Sequence, residues 1–157
     1  MPFHTEHDGW RQTHLGHLMH LALQRFDTRV LALMAADDTV PLALSNLAAR
    51  GRLSASHVHI TRHLALEGSR LTELAARAGM TKQAMGKLVD QCEAWALVTR
   101  EPDLRDARAS RVQFTTQGLA WLAASRRAVA QAEAGLRAAV GTEVATVIQI
   151  GLEAYAA

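Results

Sequence analysis

A short run of side chains able to donate hydrogen bonds begins at Thr81. Lys82 and Gln83 follow it directly, and Lys87 comes about one helical turn later. A glutamine amide can form two hydrogen bonds with adenine, whereas a lysine ammonium suits guanine or a phosphate. These residue types at the start of a helix are therefore candidates for contacts to bases and phosphates.

Two short helices across a tight turn are predicted to position these donors. The first covers residues 70–78, with Ser69 as its expected N-cap, and ends at Gly79, which suits a left-handed C-cap. Thr81 is the expected N-cap of the second helix, and Met80 and Met85 have the spacing of a hydrophobic staple. The apolar stripe of the second helix is Met85, Leu88, Val89 and Cys92. The opposite face carries Gln83, Gly86, Lys87 and Asp90.

A basic segment follows the second helix. Residues 96–101 and 111–114 have strand composition, and the loop between them contains Arg105, Asp106 and Arg108. We therefore expect a small β-hairpin and then another helix, which Thr116 and Gly118 open. The alternative for the hairpin arginines is ordinary surface ion pairing with Glu101, Asp103 and Asp106.

The stretch LTELAARAGMTKQAMGKLVDQCEAWALVTREPDLRDARASRVQFTTQG closely resembles the MarR family of bacterial transcriptional regulators, and the resemblance spans about residues 53–122. Shared features are an apolar strand start at Leu97 and Val98, an Asp-x-Arg element at Asp106–Arg108, and a Thr-x-x-Gly turn before the next helix. The resemblance implies a winged helix-turn-helix that reads double-stranded DNA. It also implies that Arg108 enters the minor groove or contacts the DNA backbone. Asp106 would orient the Arg108 guanidinium, and Arg105 would contact a phosphate.

Composition favours one mainly α domain spanning residues 1–157. The chain has 49% hydrophobic residues, three prolines and 4% aromatic residues, so the hairpin is expected to be the only sheet. The formal charge of +2 is small, so DNA binding depends on where the cations lie. One cysteine excludes an internal disulfide framework. Without a leader or a membrane-length apolar run, a soluble cytoplasmic protein is expected, with no membrane partner.

The remaining segments are predicted to be helical arms around a DNA-binding lobe. The polar residues 1–9 precede one helix of some six turns that starts near Trp10. A connector over residues 42–49 ends at Gly51, and Ser54 or Ser56 caps a helix that reaches about Leu66. After the wing, helices cover about residues 119–139 and 143–155, with a break at residues 141–142.

The two arms carry more apolar surface than one thin chain would cover. The resemblance implies that residues 10–50 and 119–157 are dimerisation helices, which intertwine with those of a second copy, and that residues 53–116 form the DNA-binding lobe. A two-fold homodimer would place two recognition helices about one DNA turn apart on a pseudo-palindromic operator. The alternative is that both arms fold back within one chain.

Histidines form two further groups. His14, His17 and His20 lie on one arc of the first helix, and His59 and His63 are one turn apart, with His57 nearer the apolar face. Such spacing can place two imidazoles on zinc, and a metal-responsive regulator is one alternative, although no Cys, Asp or Glu completes an obvious set. The resemblance instead implies no fixed cofactor and a small phenolic or aromatic effector. The candidate pocket residues are His17, His20, His59, His63 and Trp121.

The sequence also bears on three other functions: a redox sensor, an enzyme and a protein-interaction module. Cys92 shares the apolar stripe of the second helix and has no basic neighbour, so it is expected to be a packing residue and not a peroxide sensor. The sequence has no phosphate loop, nucleophile elbow or paired-carboxylate arrangement, so an enzyme is not expected. A winged-helix protein-interaction module without DNA binding remains open, and it would explain the modest net charge.

Overall fold

The computed structural model describes residues 9–157, and the predictions for residues 1–8 lie outside it. The chain is mainly α-helical with one small antiparallel sheet, as predicted. The helices are α1 (Trp10–Thr13), α2 (Leu15–Ala35), α3 (Leu42–Ala49), α4 (Ala55–His63), α5 (Leu71–Arg77), α6 (Lys82–Ala94), α7 (Thr116–Val140) and α8 (Thr142–Ala156). The strands are β1 (Ser69–Arg70), β2 (Val98–Asp103) and β3 (Asp106–Phe114).

The prediction of one continuous first helix is wrong, because the helix breaks at His14. This residue has extended backbone angles, with φ −70° and ψ 152°. Its Nδ1 accepts a hydrogen bond from the His17 backbone N–H at 3.2 Å. His14 therefore acts as the N-cap of α2 and separates it from α1.

The helix-turn-helix follows the sequence prediction closely. Gly79 adopts a left-handed φ of 63°, which ends α5, the first helix of the helix-turn-helix. The Thr81 hydroxyl accepts a hydrogen bond from the Ala84 backbone N–H at 3.1 Å and caps α6. The Met85 and Val89 side chains of α6 are fully buried, which fixes this helix against the core.

Ser69 is not the N-cap of α5, contrary to the prediction. Ser69 and Arg70 form β1, which pairs with β3 opposite Val112 and Arg111. The Ser69 hydroxyl is buried, where it accepts a hydrogen bond from the Ala65 backbone N–H at 3.2 Å. Arg70 takes the cap position instead, and its backbone N–H donates to the Glu73 carboxylate. The sheet thus has three strands in the order β1-β3-β2.

The hairpin is longer than predicted. Most of the expected loop over residues 102–108 belongs to the strands, and only Leu104 and Arg105 connect β2 to β3. At its other end, β2 starts at Val98 and not at Ala96, because Ala96 adopts a left-handed φ of 57°. We call β2, β3 and their connection the wing.

Other helix boundaries differ by a few residues. Ser54 is the N-cap of α4, as predicted, but this helix ends at His63 and not near Leu66. Helix α7 starts at Thr116, which was predicted to open it, although the body of the helix was predicted only from residue 119. The Thr115 hydroxyl caps this start by accepting a hydrogen bond from the Gly118 backbone N–H at 3.0 Å. The connector α3 is followed by Gly51 with φ 66°, as predicted.

A continuous core joins the arms to the wing. Buried side chains of α2 and α7 pack in the same cluster as those of α5, α6 and the sheet. Its largest fully buried members include Leu44, Leu53, Ile60, Leu74, Met85, Leu97 and Trp121. The position of α6 is therefore tied to the arms through packed side chains. Within residues 9–157, no helix combines the length and apolarity needed to cross a membrane.

Candidate nucleic-acid interface

Helix α6 presents one polar, exposed face. Thr81, Lys82, Gln83 and Lys87 are all exposed, whereas Met85 on the opposite side is fully buried. Gly86 lies between the two faces, and a Cβ there would be 3.7 Å from the Leu71 side chain. The N-terminal half of α6 is thus open to solvent on the face that carries the predicted DNA contacts.

Several arginines of the lobe are engaged in internal contacts. The Arg70 Nε donates to Asp103 at 2.7 Å, and an Arg111 guanidinium nitrogen lies 4.0 Å from the same carboxylate. Arg100 pairs with Asp90 at 2.6 Å and also with Glu93. The ion-pair alternative therefore describes the arginines at the base of the wing.

Four cations of residues 53–116 differ from the others. Among the described residues, no side-chain hydrogen bond or ion pair is made by Lys82, Lys87, Arg105 or Arg108. All four are exposed. Every other lysine or arginine side chain of this segment has a partner, namely Arg62, Arg70, Arg77, Arg100 and Arg111. The unpaired cations lie at the start of α6 and at the tip of the wing.

Asp106 does not orient the Arg108 guanidinium as expected. Its Oδ1 accepts a hydrogen bond from the Arg108 backbone N–H at 3.1 Å, a contact that shapes the turn into β3. The Arg108 side chain is left to extend into solvent. Asp106 therefore acts on the backbone of the wing tip.

Sequence reasoning considered Asp103 only as a surface ion-pair partner of the hairpin arginines and missed its buried structural role. Its carboxylate is buried and accepts hydrogen bonds from the Arg105 backbone N–H at 2.8 Å and from Arg70. The hydrogen bond from the Arg105 backbone N–H makes the largest contribution to lowering the pKa of this carboxyl below its usual value, and the hydrogen bond from the Arg70 side chain makes the next largest. The spacing of Asp103 and Arg105 was a visible local signal for this turn. The pairing with Arg70 was not visible, because it joins residues far apart in the sequence.

A cavity of about 550 Å³ lies between α2, α4 and α7. Trp121 lines it, whereas His17, His20, His59 and His63 are not among its lining residues. The apolar part of the lining includes Val30, Met34, Leu53, Val58, Leu122 and Val129, and the polar part includes His57, Thr61, Arg62, Ser125 and Arg126. Sequence periodicity gave no signal for Arg62 and Arg126, because the three helices meet only in the fold.

The predicted histidines lie elsewhere. His17 and His20 are on the first turns of α2, and the His59 and His63 rings stack on α4 with centroids 6.1 Å apart. Burial lowers the pKa of His63, and the neighbouring His59 acts in the same direction. Among residues 9–157, no group of three or more histidine, cysteine or acidic side chains is arranged to hold a metal ion.

Cys92 is a packing residue, as predicted. It is fully buried in the core, and burial raises the pKa of its thiol to about 12. A thiol with such a pKa stays protonated at neutral pH and is a poor nucleophile.

The arms expose a series of large apolar side chains. They occur on the first half of α2, the end of α7 and all of α8: Leu15, Leu18, Leu21, Leu23, Leu136, Val140, Val144, Val147, Ile148, Ile150, Leu152 and Tyr155. We call this surface the apolar arm face. Exposed large apolar side chains in such numbers are typical of surfaces that contact another protein.

Comparisons with known proteins agree with this geometry. Residues 58–109 match a family model described as MarR family. No curated protein matches the chain. Among solved structures, the reduced form of MarR from E. coli has a TM-score of 0.69 at 22% identity, over 90% of this chain and 96% of that one.

Two further structures share the fold. The transcriptional repressor CouR, bound to a 23-mer DNA duplex, has a TM-score of 0.67 at 21% identity, over 96% of this chain and 97% of that one. A MarR family protein of Mycobacterium tuberculosis, in complex with p-aminosalicylic acid, has a TM-score of 0.63 at 23% identity, over 92% of this chain and 100% of that one. Residues 58–109, which run from α4 into the wing, thus match the MarR family model, and the chain shares the winged-helix fold of these structures.

Proposed function

We propose that the protein binds a specific DNA operator as a homodimer and regulates transcription. One observation carries the proposal: the cations of the lobe that lack an internal partner are those at the start of α6 and at the wing tip. Lysines and arginines that neutralise phosphates dominate the affinity of proteins for DNA. Surface cations without a common role would not be expected to segregate in this way.

The two groups of cations suit different parts of a duplex. Helix α6 would enter the major groove with Thr81, Lys82 and Gln83 at its leading end and Lys87 against a phosphate. Arg108 would insert into the minor groove or contact the backbone beside it, and Arg105 would contact a phosphate. Asp106 would contribute by holding the turn. In the shared fold, CouR is a repressor bound to a DNA duplex, which supports this arrangement.

The apolar arm face supports the proposal that the partner is a second copy of this chain. We assign residues 10–50 and 119–157 to dimerisation and residues 53–116 to DNA binding. A two-fold axis between the arms would present two equivalent α6 helices to consecutive major grooves, so the operator would be a pseudo-palindrome.

The lining of the cavity supports the proposal that the effector is a small aromatic anion. Trp121 and the aliphatic side chains provide an apolar wall, while Arg62 and Arg126 add guanidinium groups to the lining. The Arg126 side chain has no hydrogen bond or ion pair among the described residues, and Arg62 pairs with Asp27 at 2.6 Å. The complex of the M. tuberculosis relative with p-aminosalicylic acid supports this ligand class. Because the four predicted histidines do not line the cavity, His57, Arg62, Arg126 and Trp121 are our pocket residues.

Selection of bound sequences from a random pool, followed by fluorescence anisotropy, tests the proposal. The selected sequence should be pseudo-palindromic, and Arg108→Ala should weaken its binding by at least about tenfold at moderate salt. Arg52→Ala is the matched control, because Arg52 is exposed and lies outside both the lobe and the residues assigned to dimerisation. Selection of no sequence from the pool would favour the protein-interaction module, and an unchanged affinity of Arg108→Ala would remove this residue from the site.

A further inference from the structure

His57 lines the cavity and also contacts α6, the proposed recognition helix. It is buried, lines the cavity from the first turn of α4, and its ring lies with its centroid 5.1 Å from the Trp95 ring at the end of α6. Its Nε2 is 2.7 Å from the Oε1 of Gln91, a residue of α6. Within the described chain, no other residue lining the cavity makes a side-chain hydrogen bond to α6.

The hydrogen bonds of His57 define its role. The Ser54 backbone N–H donates to His57 Nδ1 at 3.0 Å, which makes this nitrogen an acceptor. The proton of the neutral ring is therefore on Nε2, which donates to Gln91 Oε1. Burial also lowers the pKa of His57, which favours the neutral ring.

We propose that His57 is a positioning residue, which transmits the state of the cavity to the recognition helix through its hydrogen bond to Gln91. An occupant that presses on the side of the ring that lines the cavity would move Nε2, and Gln91 would move with it or lose the bond. Ser54 holds the other ring nitrogen at the start of α4, so ring displacement is directed towards α6. The inference rests on the proposed function, since it gives the cavity an occupant and gives α6 the DNA-reading role.

Gln91 offers a direct test, because its side chain is exposed and its replacement leaves the core unchanged. Gln91→Met removes the acceptor and keeps the length of the side chain, while Gln91→Glu keeps an acceptor and serves as the conservative control. The readout is amide hydrogen exchange of α6, which requires neither operator nor DNA. The cavity is perturbed in two ways, with millimolar salicylate and with Ala123→Phe, which adds a ring to the lining.

We expect both perturbations to change α6 exchange in the wild type and in Gln91→Glu by at least about threefold, and not in Gln91→Met. Equal changes of α6 exchange in the wild type and in Gln91→Met would overturn the link. Unchanged α6 exchange in the wild type under both perturbations would overturn it as well. Salicylate binding is followed separately by isothermal titration calorimetry. Failure of salicylate to bind counts against the proposed effector, while the Ala123→Phe arm still decides the link.

Discussion

Asp103 and Arg70 join the two outer strands of the sheet. The Arg70 Nε of β1 donates to the Asp103 Oδ2 at the end of β2 at 2.7 Å, across the central strand β3. The same carboxylate accepts from the Arg105 backbone N–H, and Arg111 of β3 lies near it. One buried acid thus ties the turn end of β2 both to β1 and to the backbone of Arg105.

Asp103→Asn is predicted to lower both the thermal stability of the protein and its operator affinity. The amide keeps the shape of the side chain but loses the charge that pairs with Arg70 and Arg111. Asp38→Asn is the control, because Asp38 is exposed and has no ion pair among the described residues. A variant with wild-type melting temperature and operator affinity would contradict the role of Asp103.

The pH dependence of unfolding provides a second prediction for Asp103. Its folded-state pKa is lowered from 3.8, so the unfolded state binds the proton more readily. The stability that this carboxylate contributes is therefore complete above about pH 3.8 and is lost as the pH falls through the lowered value. Acid titration of the free energy of unfolding should show a smaller loss in Asp103→Asn than in the wild type. Identical titrations would show that Asp103 is not stabilised as described.

Gly118→Ala is predicted to destabilise the fold severely. A Cβ at this position would lie 1.8 Å from the Leu97 carbonyl oxygen, which is backbone at the start of the wing and cannot move aside. We expect a loss of at least about 2 kcal/mol in denaturant unfolding. Gly135→Ala on the same helix meets nothing within 4 Å and should instead gain about 0.5–1 kcal/mol. Equal effects of the two substitutions would refute the close approach of α7 to Leu97.

Cys92 is predicted to be unreactive in the native protein. Its thiol is buried, with a pKa of about 12, so alkylation by iodoacetamide at neutral pH should follow unfolding and not precede it. Mass spectrometry of samples with and without guanidinium measures this directly. Rapid alkylation of the folded protein, or a loss of operator binding in peroxide that Cys92→Ser prevents, would reinstate a redox role.

Some of these features were readable from the sequence and others were not. The Thr81 cap, the Gly79 turn and the buried stripe of α6 are encoded within a few residues, and they were predicted correctly. The strand at Ser69 depends on pairing with β3, and the Asp103 contacts join distant segments, so neither has a local signal. The lining of the cavity has no local signal for the same reason: helical spacing places His59 and His63 on one face but does not show which helices that face meets.

The salt dependence of operator binding tests the central claim most directly. The logarithm of the binding constant should fall linearly with the logarithm of the salt concentration, with a slope that decreases by about one for each phosphate contact removed. The account predicts that substituting alanine for Lys82, Lys87, Arg105 and Arg108 together flattens this slope and removes the preference for the selected operator, while Arg52→Ala changes neither. An unchanged slope and affinity in the fourfold variant would show that these unpaired cations do not form the DNA-binding surface.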